Sequence, residues 1–237
     1  MKTLATAAFA ATLVLCSTAR ADTITLQYDN PVWTPLSYDA IAFSTNGGAS
    51  FVNAPATRHQ STVLGFTGAL NGLSFVDNVN DLYLYCYDLF QYINHGQTVT
   101  YTVDYAGLTT RTLDYLGAVD YVLNGNTNSW SDPYAWLRPA AVTIGGQPVT
   151  ATNVAAAIQL GVWESLYETD GGWDLASGQF RATYLDAGTT AAYNAFVNAS
   201  SAAFLGDPPP ELLAMQSVLA RLADARRAAR RTSDRAP

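Results

Sequence analysis

One cysteine and one glutamine carry the reactive chemistry that this sequence offers. Cys86 lies in Tyr85-Cys86-Tyr87-Asp88-Leu89-Phe90, and Gln159 in Ala155-Ala156-Ala157-Ile158-Gln159-Leu160-Gly161-Val162-Trp163-Glu164. On a helix Gln159 shares a stripe with Ala155, Val162, Trp163 and Leu166, so its carboxamide points where apolar residues point. A buried carboxamide without partners costs about 1–3 kcal/mol, so something must receive it. Strand alternation puts Cys86 on one face with Leu82 and Leu84, and Tyr83, Tyr85 and Tyr87 on the other. A thiol and a carboxamide placed together in a dry pocket can react. Sulfur attacks the amide carbon, ammonia leaves, and a thioester remains.

The elements that must position this pair follow from periodicity. Thr23 to Tyr28 alternates apolar and polar residues and predicts a first strand. Residues 31 to 80, punctuated by Pro, Asn and Gly, predict short strands and loops. Asp81 to Leu89 and Gln97 to Tyr105 predict two further strands, turning at Asn94-His95-Gly96. The period then becomes helical: Leu113, Leu116, Val119 and Leu123 predict a helix over 112–123. Residues 124 to 149 read as loop. Helices follow over 153–168, capped by Thr152 or Asn153, and over 189–205. Strands first and helices afterwards predict an α+β fold in one domain, a β-sheet or sandwich packed against a three-helix C-terminal part.

Residues 1–21 read as a secretion signal. Lys2, an apolar run from Leu4 to Leu15 and Ala19-Arg20-Ala21 precede Asp22 as the new N-terminus. The domain is expected over 22–206 and a Pro-rich linker with a basic helical tail over 207–237. From Asp22 to Asp207 there are sixteen acidic residues and four arginines, a balance that repels nucleic-acid phosphates. No apolar run after the signal is long enough to span a bilayer. Cys16 leaves with the signal, so Cys86 has no intramolecular disulfide partner, and a thiolate metal cluster is excluded. No cofactor is implied.

The two motifs resemble the thioester domain of bacterial surface proteins, in which a Cys in a β-segment is joined to the Gln of a Thr/Ala-Gln-x-Ala-Ile-Trp helix. Ile158-Gln159-Leu160-Gly161-Val162-Trp163 matches the Gln and Trp positions. Ile158 stands where Thr is common, and Gly161 and Val162 stand for Ala and Ile, the last two expected to be mild changes. The pattern is similar to that of exported Gram-negative proteins with a Cys-x-Asp-Leu-Phe segment, many carrying a PEP-CTERM sorting tail. The likeness spans about residues 80 to 205. Pro209-Pro210-Glu211 is only an echo of that tail, and the polar residues after it leave no anchor helix.

The resemblance implies a secreted or cell-surface adhesion protein. It would bind a surface or matrix protein or polysaccharide by acyl transfer from a Cys86–Gln159 thioester to an amine or hydroxyl. Such transfer happens once per molecule and is not enzymatic turnover. Trp163 is expected to shield the pocket, Asp88 to cap a turn in the Cys segment, and Glu164 to lie exposed on its helix with a secondary role in proton transfer. The alternative is non-covalent binding of matrix or carbohydrate on the same fold, using Trp33, Trp130, Trp136 or Trp173. A cysteine hydrolase pairing Cys86 with His59 or His95 is the third reading. It requires an exposed, activated thiolate, which apolar neighbours do not favour.

Overall fold

The computed structural model describes residues 22–67, 80–90, 92–102, 108–126 and 135–201. The expected signal over 1–21, the basic tail over 207–237 and Trp130 lie outside these residues. Thr23–Tyr28 forms β1 with Ile24, Leu26 and Tyr28 inward, and Thr23, Thr25 and Gln27 alternate to the other face. β1 is central in an antiparallel sheet with β4 (His59–Thr67) and β6 (Thr98–Thr102), and β5 (Asp81–Leu84) pairs with the far side of β4. Its inner face buries Val63, Leu82, Leu84 and Tyr101 against the β1 residues.

A second sheet has β2 (Asp39–Ser44) between β3 (Val52–Ala56) and β9 (Arg181–Thr183). A small hairpin pairs β7 (Val142–Ile144) with β8 (Gln147–Val149) through Gly145-Gly146, both at positive φ. Three helices pack on one another: α1 (Thr110–Leu123), α2 (Ala151–Tyr167) and α3 (Ala187–Ser201). The α+β layout holds, with two changes of order. The β7–β8 hairpin falls inside the stretch read as loop, and β9 lies after α2 and closes back onto β2.

α2 is the centre of the molecule. Thr150, not Thr152 or Asn153, is its N-cap, and its hydroxyl accepts the Asn153 N–H. Every residue from Val154 to Ser165 is buried, so the helix presents no solvent face over these turns. α1 and α3 cover it on one side, and β2 and β3 lie on another. Tyr115 of α1 reaches its backbone, donating its hydroxyl to the Ala157 carbonyl at 2.8 Å. Gly161 permits that approach: a methyl group there would lie far inside contact distance of Cζ, Cε1 and Cε2 of Tyr115. Alanine at 161 is therefore no mild change in this fold.

Candidate functional site

The strand expected over Asp81 to Leu89 ends at Leu84. Tyr85 is buried with its neighbour Leu84 instead of alternating outward, and its hydroxyl donates to the Trp136 carbonyl at 2.9 Å. Cys86 thus sits in a loop after β5, half-buried, and not on the apolar face of a strand. Residues 85–90 gain their shape from α2. Tyr167 accepts the Leu89 N–H and donates to Asp88 Oδ1, each at 3.3 Å. Asp88 Oδ1 also accepts the Phe90 N–H at 2.9 Å, an Asx turn that matches the capping role expected of it.

Two turns before Tyr167, the fully buried Gln159 meets the Cys86 main chain. Its Oε1 accepts the Cys86 N–H at 2.8 Å, and its Nε2 donates to the Cys86 carbonyl at 2.7 Å. The carboxamide is therefore clasped by both peptide groups of the one residue whose thiol could attack it, across 73 positions of sequence. The plainer reading of Gln159, an amide satisfied by backbone, and the sharper one, a partner for Cys86, meet in this single contact. The thiol turns to the Asp88 carbonyl, with Sγ at 3.0 Å. Burial, reinforced by the Asp88 carboxylate and partly offset by that bond, pushes the thiol up to about 12. At neutral pH it is not a thiolate, which weighs against the hydrolase reading.

Cys86 lines a cavity of about 260 Å³ walled by β2, β3, the first residue of β4, α2 and the loops that carry Trp33 and His95. Trp163 and Phe43, with ring centroids 6.1 Å apart, form part of its wall, as do Trp33, His59 and His95. Trp163 is buried, as a shielding role requires, and its Nε1 has no hydrogen-bond partner among the described residues. His59 is 7 % exposed with its Nδ1 likewise unpartnered. Burial, with the Arg58 guanidinium next to it, holds its pKa down at about 4, so the ring is neutral. His95 accepts the Val32 N–H on Nδ1 at 3.1 Å, so in its neutral form the proton resides on Nε2. The hydrolase reading names both histidines as partners for Cys86; the structure brings them to its cavity from β4 and from the turn before β6, with no local sequence pattern linking either to the Cys86 segment.

Glu164 departs from expectation. It is fully buried and points away from Cys86, accepting the Asp174 N–H at 2.8 Å and the Tyr193 hydroxyl of α3. Burial pushes it up to about 7, opposed by those two bonds and by Arg111. It ties α2 to α3 and to the segment after α2, and shares no partner with Cys86 or Gln159. Among the described residues no group of three or more His, Cys, Asp or Glu side chains forms a metal cluster, and no helix is long and apolar enough to cross a membrane.

No protein-family model, no curated protein and no solved structure matches this chain.

Proposed function

We propose that this is an exported covalent binding module, which forms a thioester between Cys86 and Gln159 and transfers the Gln159 acyl group once to an amine or hydroxyl on a surface or matrix partner. The observation that carries the reading is the double hydrogen bond between the Gln159 carboxamide and the Cys86 main chain. For the bond to form, Sγ swings from the Asp88 carbonyl onto Cδ of Gln159. Negative charge then develops on Oε1, where the Cys86 N–H already donates. Nε2 takes the thiol proton and leaves as ammonia. A pocket that holds the thiol near 12 disfavours a free thiolate, and the neutral thioester carries no such penalty.

Composition adds support. From Asp22 onward the sequence contains no lysine, and Lys2 lies in the segment read as the export signal. An amine-reactive bond on such a chain meets no ε-amine on its own molecule or on its copies. The test is methylamine labelling with peptide mapping: the amine is expected on Gln159 alone, and an unlabelled Gln159 in native protein counts against acyl transfer.

The non-covalent reading retains one foothold. Trp33 is half-buried at the cavity, 4.6 Å from Tyr38 and from His95 between ring centroids, where a sugar ring could stack. Trp136 and Trp163 are buried, and Trp173 is stacked on Tyr115, so these three are engaged in packing.

A further inference from the structure

Acyl transfer from a thioester moves one proton. The attacking amine loses it, and the departing sulfur needs it, because the pocket around Cys86 does not tolerate a thiolate at neutral pH. Water does not provide an efficient relay inside a mostly apolar chamber, so the carrier has to stand on the chamber wall. The lining includes no Asp, Glu, Lys or Arg among the described residues. Its titratable side chains other than Cys86 are His59, His95 and Tyr92.

Two of these are unsuited to accepting a proton. Tyr92 is 75 % exposed, and its phenol oxygen is a weaker proton acceptor than an imidazole nitrogen. His95 has Nδ1 occupied by the Val32 N–H and its proton on Nε2, so it can donate but has no free lone pair. His59 differs on each point. It is more than nine-tenths buried, its Nδ1 has no partner, and it is held by β4, a strand paired on both sides. A buried imidazole nitrogen left without a partner costs stability, and a fold carries such a cost at a site where the atom has work.

We infer that His59 is the proton carrier of this site, accepting a proton from the nucleophile that enters the chamber and delivering it to Cys86 Sγ as the thioester opens. This rests on the thioester reading. In the balanced step the amine nitrogen forms a bond to Cδ of Gln159, and the Cδ–Sγ bond breaks with its electron pair on sulfur. The nitrogen's proton goes to His59 and from there to Sγ, leaving an amide and a thiol. Arg58 suits the neutral ring to this work. Its guanidinium is buried, 3.2 Å from the centroid of the Tyr83 ring, and makes an imidazolium beside it short-lived. His59 therefore passes the proton on and does not keep it.

The test uses the full mature chain, wild type and His59→Gln, purified without exposure to amines. Intact mass is read first and reports the bond alone. Methylamine is then added, and the adduct on Gln159 is followed in time. Both proteins are expected to be one ammonia lighter than sequence. The variant should take up methylamine roughly a hundredfold more slowly, the lower range for loss of a positioned base. Its rate should rise with the concentration of added buffer base, and the wild-type rate should not. A variant that holds the bond and reacts at the wild-type rate overturns the role of His59. If His59→Gln does not fold, wild-type uptake in heavy water decides: slower uptake supports a proton in flight, and equal rates in light and heavy water overturn it. Wild-type protein of full sequence mass overturns the thioester reading and this inference with it, and is recognised before methylamine is added.

Discussion

Gly161→Ala tests how α1 packs against α2, the helix that carries Gln159. Replacing glycine inside a helix ordinarily stabilises it by up to about 1 kcal/mol. Here the added methyl enters the Tyr115 ring, which is fully buried. The ring has no free space to yield. It is stacked on Trp173 at 5.2 Å, edge-on to Phe196 at 6.2 Å, and fixed by its hydroxyl to the Ala157 carbonyl. Overpacking of this kind costs about 1–3 kcal/mol. Pulling the hydroxyl off its carbonyl leaves a buried donor unpaired for a further 1–3 kcal/mol or so. Less the helix gain, the expected loss is about 1–5 kcal/mol, measured by urea unfolding at pH 7. Adding Tyr115→Leu to Gly161→Ala should recover part of it, because the two changes share one volume. A single variant as stable as wild type, or more so, would refute the packing argument and restore alanine as a harmless change.

Glu164 makes stability fall with rising pH. Its folded pKa of about 7 lies above the ordinary carboxylate value, so the fold binds the proton more tightly than the unfolded chain does. This contribution is complete below about 4.5 and is lost as pH rises through 7. Glu164→Gln should flatten the melting-temperature profile between pH 5 and 8, and an unchanged slope would assign it to other groups. Tyr167→Phe removes the hydroxyl that receives Leu89 and meets Asp88, and should cost about 1 kcal/mol in urea while slowing thioester formation in refolded protein. Cys86→Ala and Gln159→Ala should each forfeit the cross-link, by up to about 4 kcal/mol for a loop of 73 residues counted as for a disulfide. The double variant should cost little more than either single one, and additive losses would mean that no bond joins them.

What the sequence disclosed and what it hid have physical reasons. β1 was legible because Ile24, Leu26 and Tyr28 alternate with Thr23, Thr25 and Gln27 on a sheet with one buried face. α2 was legible in place, but its stripe was not its environment: a helix buried all round reads the same as an amphipathic one wherever small residues fill the second face. The alternation around Cys86 continued past the strand's end, since Tyr85 is drawn inward by Trp136, a partner fifty-one positions away. The β7–β8 hairpin did carry a local signal, Gly145-Gly146 between short β-prone runs. β9, only three residues long, carried none apart from its pairing with β2. Gln159 was legible as a polar residue on an apolar stripe. Glu164 stood one helical step from the same stripe, and its burial depends on Tyr193 and Asp174, which no local pattern links to it. From the sequence His59 is named only as a nucleophile's partner in the hydrolase reading, and its burial beside the thiol's cavity depends on an assembly that no local pattern announces.

The central claim is the covalent bond, and one measurement meets it directly: the intact mass of the mature protein, secreted and purified in amine-free buffer and sprayed without reduction. With the bond in place the mass is expected to be one ammonia below that of the sequence, and methylamine should raise it by the mass of one methylamine, to one CH2 above the sequence. The full sequence mass in protein that has never met an amine would contradict the account, leaving Gln159 as a buried amide that only fastens the Cys86 loop to α2.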